Sequence, residues 1–187
     1  MYKMNLQLPK GYKRAVLVFD GAMSQPVVKV NGKEAGRWAY GYNAFRIDIT
    51  PFIQFGKCNL VEVHLNNVEE SSRWYPGGGL YRPVSVELYG NENFSTWDTF
   101  VRTLKADKQE AEVEVNALLE GKTGKSGKTV ITLLDEAGKK VAEQIVTGAN
   151  PEIKTTLKVA NPQLWSPESP YLYQVKLTRY EGKKVAD

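Results

Sequence analysis

The sequence predicts an all-β protein built from two β-sandwiches. Three observations predict this fold class. Apolar and polar residues alternate at every second position in many short segments, turn residues separate these segments at intervals of about ten residues, and no segment carries a capped helical stripe. The composition agrees, because 42% hydrophobic and 25% charged residues are ordinary for a globular chain of 187 residues.

The predicted strands follow one another along the whole chain. In the first half they cover residues 15–19, 27–30, 45–49, 61–65 and 84–88, and in the second half residues 111–117, 130–134 and 153–159. Two of them, 15–19 and 130–134, are nearly continuous apolar runs, which favours central strands that are covered on both faces. The pair Asn31 and Gly32 predicts a tight hairpin after residues 27–30. Residues 51–54 are expected to form one short helical turn.

The character of the sequence changes near residue 93. The part before it is rich in glycine and aromatic residues, whereas the part after it is rich in Lys, Glu, Val and Thr. About 90 residues suffice for one small sandwich. We therefore predict a first domain over residues 1–93 and a second over residues 94–187.

Charge and cysteine content exclude several classes of protein. The net charge is +4, but the lysines are scattered, which argues against a nucleic-acid partner. No apolar run approaches the roughly 18 residues of a membrane-spanning helix, and no signal peptide is visible. With one cysteine and one histidine, the chain is expected to hold no disulfide, metal or cofactor. We expect Cys58 to be a small buried side chain and His64 to face solvent on a strand.

The most unusual segment is an aromatic loop around residues 71–84. Three consecutive glycines allow sharp bends, and Arg73, Trp74 and Tyr75 stand just before them. Aromatic faces and charged groups are the chemistry that binds sugar rings and their hydroxyls. The loop therefore has the residues of a carbohydrate site, or alternatively those of a contact with a neighbouring domain.

Five motifs in order resemble glycoside hydrolase family 2, the family of β-galactosidases, β-glucuronidases and β-mannosidases. Four are similar to the family's sugar-binding domain and the fifth to its immunoglobulin-like domain. They are VNGKEAG at 30–36, GYNAFRIDIT at 41–50, NLVEV with NN at 59–67, RWYPGGGLYR at 73–82 and LWSPESPYLY at 164–173.

The resemblance implies a jelly-roll β-sandwich, incomplete at its N-terminus, followed by an immunoglobulin-like β-sandwich. It favours the β-galactosidase branch. In the family both catalytic carboxyl groups lie on a (β/α)₈ barrel, so we expect no catalytic residue here and no hydrolysis by this chain alone. The resemblance also makes Arg73, Trp74 and Tyr75 the candidates for binding substrate at the rim of the sugar pocket. The expected partners are a carbohydrate and the catalytic barrel.

Two alternatives stay open at this point. The chain could be a free-standing carbohydrate-binding module, or a purely structural pair of sandwiches. The strands that the first sandwich lacks would leave unpaired edges, so we expect self-association into a homo-oligomer or disorder near the termini. Trp165 and Tyr173 are expected in the core or a corner of the second sandwich.

Overall fold

A computed structural model of the chain describes residues 1–67, 77–122, 124 and 127–187. The regular structure in these residues is β-strand, apart from a 3₁₀ turn at Thr50–Phe52. The chain divides into two compact units, Met1–Gly90 and Asn91–Asp187. Within the described residues, no helix has the length and apolarity needed to cross a membrane. The protein is therefore all-β, as the alternation predicts.

Unit 1 contains two antiparallel sheets. Its strands are β1 (Tyr2–Gln7), β2 (Arg14–Phe19), β3 (Val27–Val30), β4 (Lys33–Arg37), β5 (Phe45–Asp48), β6 (Cys58–His64) and β7 (Val84–Tyr89). The first sheet has the order β1-β6-β3-β4 and the second has the order β5-β2-β7. Residues 92 and 93 already pair with the second unit.

One apolar core joins the two sheets of unit 1. Val28 and Val61 from the first sheet and Leu17 and Phe19 from the second belong to the same buried cluster. The sheets therefore form a sandwich. The predicted central position of residues 15–19 is confirmed, because β2 lies between β5 and β7 and buries successive residues on both faces.

A two-residue hairpin joins β3 and β4, as the sequence predicts. Asn31 and Gly32 have φ angles of 51° and 79°, and Val30 pairs with Lys33 across the turn. The side-chain amide of Asn31 also donates a hydrogen bond to the Phe52 carbonyl at 2.8 Å. The hairpin is thereby fixed to the short 3₁₀ turn.

Unit 2 also contains two sheets. Its strands are β8 (Glu92–Phe94), β9 (Phe100–Ala106), β10 (Glu110–Gly121), β11 (Gly127–Leu134), β12 (Lys140–Thr147), β13 (Glu152–Ala160), β14 (Gln174–Glu181) and β15 (Lys184–Val185). One sheet has the order β13-β10-β8, with β9 also paired to β10, and the other has the order β12-β11-β14-β15. Their inward residues, such as Val115, Ile131 and Leu157, form one core.

Three expectations from the sequence are wrong or only partly right. Cys58 is exposed, because its neighbours Asn59 and Val61 take the buried face of β6. Trp165 is exposed, whereas Tyr173 packs against the core and accepts a hydrogen bond from the Gln163 amide at 2.9 Å. The run 130–134 is central, but its burial alternates, so only every second residue is fully covered.

Candidate functional site

The predicted substrate-binding residues Arg73, Trp74 and Tyr75 lie outside the described residues, which resume at residue 77. The site can be built from the segments on either side of that gap. Both belong to unit 1.

Both flanks of the aromatic loop are bound to one short segment, residues 23–25. On the far side, Met23 and Gly79 exchange two backbone hydrogen bonds of 2.9 and 3.0 Å. On the near side, the backbone N–H of Asn66 donates to the Ser24 carbonyl at 2.9 Å. The Ser24 hydroxyl donates in return to the backbone carbonyl of Asn66 at 2.6 Å. The Asn66 side chain donates to Gln25 Oε1 at 2.9 Å. The two ends of the loop are therefore held together.

Tyr81 connects the loop exit to a second loop, residues 38–44, between β4 and β5. The Tyr81 hydroxyl donates to the Gly41 carbonyl at 2.7 Å. Its ring lies so close to Gly21 that a Cβ on that glycine would be 2.6 Å from a ring carbon. Gly41 is buried against Met23 in the same way. The two loops and the 23–25 segment therefore meet at one end of unit 1.

Four exposed aromatic side chains gather at this end, and we call them the aromatic platform: Trp38, Tyr40, Tyr42 and Tyr81. The Trp38 ring lies nearly parallel to the Phe45 ring, with 5.6 Å between the ring centres. The Trp38 Nε1–H donates to Asn43 Oδ1 at 3.0 Å. The Tyr40 and Tyr42 rings lie 5.5 Å apart, inclined at 57°. The platform thus presents several ring faces to solvent.

The sequence predicts a binding role for the loop that contains Tyr81, but it indicates none for Trp38, Tyr40 or Tyr42. Tyr42 lies within a family motif and Tyr40 directly beside it. The available signal is three aromatic residues at positions 38, 40 and 42, between the predicted strands 27–30 and 45–49. Aromatic side chains that are not required by a sheet face are candidates for binding.

Arg82 supplies positive charge beside the platform. Its guanidinium lies 5.3 Å from the centre of the Tyr81 ring, and Nη1 donates to the Asp20 carbonyl at 3.4 Å. Among the described residues it forms no ion pair with a carboxylate. The group can therefore donate to a ligand's oxygen atoms.

Hydrogen-bond donors and cations lower the pKa of several described carboxyl groups, which makes these groups poor proton donors. The hydrogen bond from Lys3 lowers the pKa of Glu62, and the one from Asn116, with help from Lys154, lowers that of Glu114. A glycosidase acid/base needs the opposite, a raised pKa. Among the described residues there is also no group of three His, Cys, Asp or Glu side chains that could hold a metal ion.

Glu114 is a largely buried carboxyl group in the middle of β10. Arg102 and Lys154 from the neighbouring strands contact its two carboxylate oxygens at 2.8 and 3.3 Å. The side chain is thus an ion-paired structural element of the sheet.

Comparison with known proteins places these features in a family. Residues 94–187 match the profile of glycosyl hydrolases family 2. A Formosa agariphila protein with a provisional β-glucuronidase name is 36% identical over 176 residues, covering 94% of this chain and 17% of that protein. The β-galactosidase BoGH2A of Bacteroides ovatus is 35% identical over 163 residues, covering 83% of this chain and 19% of that protein.

A solved structure of a family member shows the same similarity in three dimensions. The crystal structure of a glycosyl hydrolase family 2 member from Bacteroides cellulosilyticus superimposes with a TM-score of 0.86 and 34% identity, covering 99% of this chain and 25% of that one. The chain thus spans about a fifth of the length of the curated relatives it matches. These likenesses extend over both units, and the chain belongs to glycosyl hydrolases family 2.

Proposed function

We propose that this chain is a non-catalytic accessory region of a β-galactosidase-like hydrolase, positioning a catalytic barrel and shaping its sugar pocket. One observation carries the proposal. The chain is similar to family 2 members over nearly its whole length, yet it covers only 17% and 19% of the two hydrolases compared above. Most of such an enzyme, including its catalytic carboxyl groups, would therefore lie elsewhere.

In this proposal unit 1 forms a jelly-roll sandwich that contributes to the sugar pocket, and unit 2 is an immunoglobulin-like sandwich. Arg73 would donate to sugar hydroxyls, and Trp74 and Tyr75 would pack on the sugar ring. The double anchoring of the loop at residues 23–25 supports this role, because a loop with fixed ends loses less conformational freedom on binding.

The proposed substrate is a β-galactoside. The 35% identity to BoGH2A supports it, while the relative with the β-glucuronidase name makes β-glucuronides the competing substrate. The two sugars differ at C4, where galactose carries an axial hydroxyl and glucuronic acid an equatorial one, and at C6, where a glucuronide carries a carboxylate. An assay with both nitrophenyl glycosides distinguishes them.

A chimeric enzyme tests the accessory role. The part of BoGH2A that aligns with this chain is replaced by residues 1–187, and hydrolysis of 4-nitrophenyl β-D-galactopyranoside is measured. We expect the chimera to hydrolyse the galactoside and the isolated chain to release no nitrophenol above buffer.

Two results would overturn the proposal. The first is turnover by the isolated chain, which would place a catalytic pair within it. The second is a chimera that shows a cooperative melting transition but no activity, because a folded accessory region should support the barrel. Trp97→Ala in the chimera serves as the matched control, since Trp97 is 80% exposed and lies in unit 2.

A further inference from the structure

We propose that the aromatic platform is a second carbohydrate-binding surface, which takes a β-linked galacto-oligosaccharide beside the Arg73–Tyr75 loop. The choice of galactose rests on the proposed function. The surface itself follows from the geometry of Trp38, Tyr40, Tyr42 and Tyr81, all of which are described.

The Trp38 ring is preorganised for stacking. One of its faces lies parallel to Phe45 with an interplanar angle of 8°, and Phe45 in turn stacks on the buried Phe19 at 4.7 Å. The hydrogen bond from Nε1 to Asn43 fixes the rotation of the ring in its own plane. A flat apolar face held in this way binds a ligand without a large loss of side-chain entropy.

The two tyrosines extend this surface around Gly41. Because their rings are inclined at 57°, they cannot both lie against the same face of one sugar. They suit successive units of a twisted oligosaccharide. Galactopyranose fits such rings, because its C3, C4 and C5 hydrogens point to one face and leave that face apolar.

Polar groups border the rings where sugar hydroxyls would lie. Arg82 stands beside Tyr81 with its guanidinium free of a described carboxylate partner, and the Tyr40 and Tyr42 side chains are more than half exposed. Alternating ring faces and hydrogen-bond donors match a ligand that carries both C–H faces and hydroxyls. Tyr81 joins the surface directly to the exit of the aromatic loop.

Fluorine NMR of the 187-residue chain tests the proposal. The chain is labelled with 5-fluorotryptophan, which gives signals for Trp38, Trp74, Trp97 and Trp165, assigned by single Trp→Phe variants. β-1,4-Galactotetraose is titrated to about 10 mM. We expect a saturable shift of the Trp38 signal and none of the Trp97 and Trp165 signals.

Paired variants locate the binding surface. Tyr40→Ala with Tyr42→Ala should weaken the affinity read from Trp38 by about tenfold. Tyr12→Ala, an exposed tyrosine between β1 and β2, should leave it unchanged. Thermal melting of each variant shows whether the fold is intact.

The outcomes separate this proposal from the accessory role. No Trp38 shift at the highest concentration, or equal shifts of all four tryptophans, overturns the platform. A shift of Trp74 alone overturns the platform and leaves the proposed loop function standing. A saturable Trp38 shift together with an inactive, folded chimera supports the platform and overturns only the accessory role.

Discussion

The two units of the chain satisfy their buried polar groups in opposite ways. Unit 1 uses a neutral amide, Asn59, which is 1% exposed. Its Oδ1 accepts hydrogen bonds from Asn31 Nδ2 at 3.0 Å and from the backbone N–H of Gln54 at 2.8 Å. Its Nδ2 donates to the backbone carbonyls of Gln54 and Lys57 at 3.1 and 3.0 Å. One side chain therefore joins the hairpin, the segment that follows the 3₁₀ turn and the start of β6.

Unit 2 uses a buried ion pair instead. Arg179 Nε donates to Glu92 Oε2 at 2.7 Å, and the two side chains are 2% and 0% exposed. The guanidinium also donates to Thr129 Oγ1 at 3.3 Å and to the Gly148 carbonyl at 3.1 Å. Gly127 leaves room for it, because a Cβ there would be 1.8 Å from Nη2. The pair joins β8, β11 and β14.

This difference predicts how the stability of each unit responds to the loss of one buried polar side chain. Loss of one partner in unit 2 leaves an uncompensated buried charge, whereas loss of Asn59 leaves only neutral groups without partners. Unit 2 should therefore be the more sensitive of the two to a single substitution in its buried network.

The largest effect is expected for Arg179→Met. The free energy of unfolding of unit 2 should fall by about 3–5 kcal/mol, because Glu92 stays buried without its cation. Amide hydrogen exchange in β11 and β14 measures it, with the β2 amides as a reference in unit 1. Arg102→Met is the matched control, because Arg102 is half exposed and should cost less than about 1 kcal/mol.

The double variant Glu92→Leu with Arg179→Met sharpens this result. Removal of both charges should restore most of the lost stability, because no buried charge is left unpaired. Equal losses in the single and double variants would contradict the ion-pair account.

A smaller loss is expected for Asn59→Ala in unit 1. The variant leaves the Gln54 backbone groups and Asn31 without their partner, at a cost of about 1–3 kcal/mol. Hydrogen exchange of the β3 and β6 amides measures it. Asn5→Ala, an exposed asparagine in β1, should stay near wild type. A loss larger than that of Arg179→Met would invert the comparison.

Strand edges give the next comparison. All residues of β9 in unit 2 are exposed, including Phe100, Val101 and Leu104, so β9 can pair with another copy. We predict that the chain self-associates and that Leu104→Lys lowers the average mass measured by light scattering at high protein concentration. A wild-type chain that stays monomeric under these conditions would refute this prediction.

The smallest effect is the pH dependence carried by Glu114. Since its folded pKa lies below the ordinary value of 4.5, its contribution to stability is present above pH 4.5 and is lost as the pH falls below it. Glu114→Gln should flatten the fall in unit 2 stability below about pH 4.5. Glu136→Gln, in the exposed turn after β11, should not.

Local patterns explain what could be predicted from the sequence. The Asn31–Gly32 hairpin and the buried strand β2 depend on residues that are adjacent in the chain, so their periodicity or turn chemistry is visible directly. Family motifs contain Asn31 and Asn59, but nothing local shows that the two side chains meet.

Long-range partnerships explain what could not be predicted. Glu92 and Arg179 are separated by 87 positions and lie in segments of ordinary polar composition. Residue type alone predicts that Cys58 and Trp165 are buried, whereas strand register and loop geometry make both side chains exposed. The platform cannot be predicted from local sequence, because Tyr81 meets the 38–44 loop only in the folded chain.

The central claim is that unit 1 frames a sugar pocket whose catalytic groups lie elsewhere. Steady-state kinetics of the BoGH2A chimera carrying Arg73→Ala and Trp74→Ala test it most directly. The account predicts a KM for the nitrophenyl galactoside raised by about tenfold or more with little change in kcat, and wild-type values for Trp97→Ala. Unchanged KM in the folded loop variant, or an equal effect of Trp97→Ala, would contradict it.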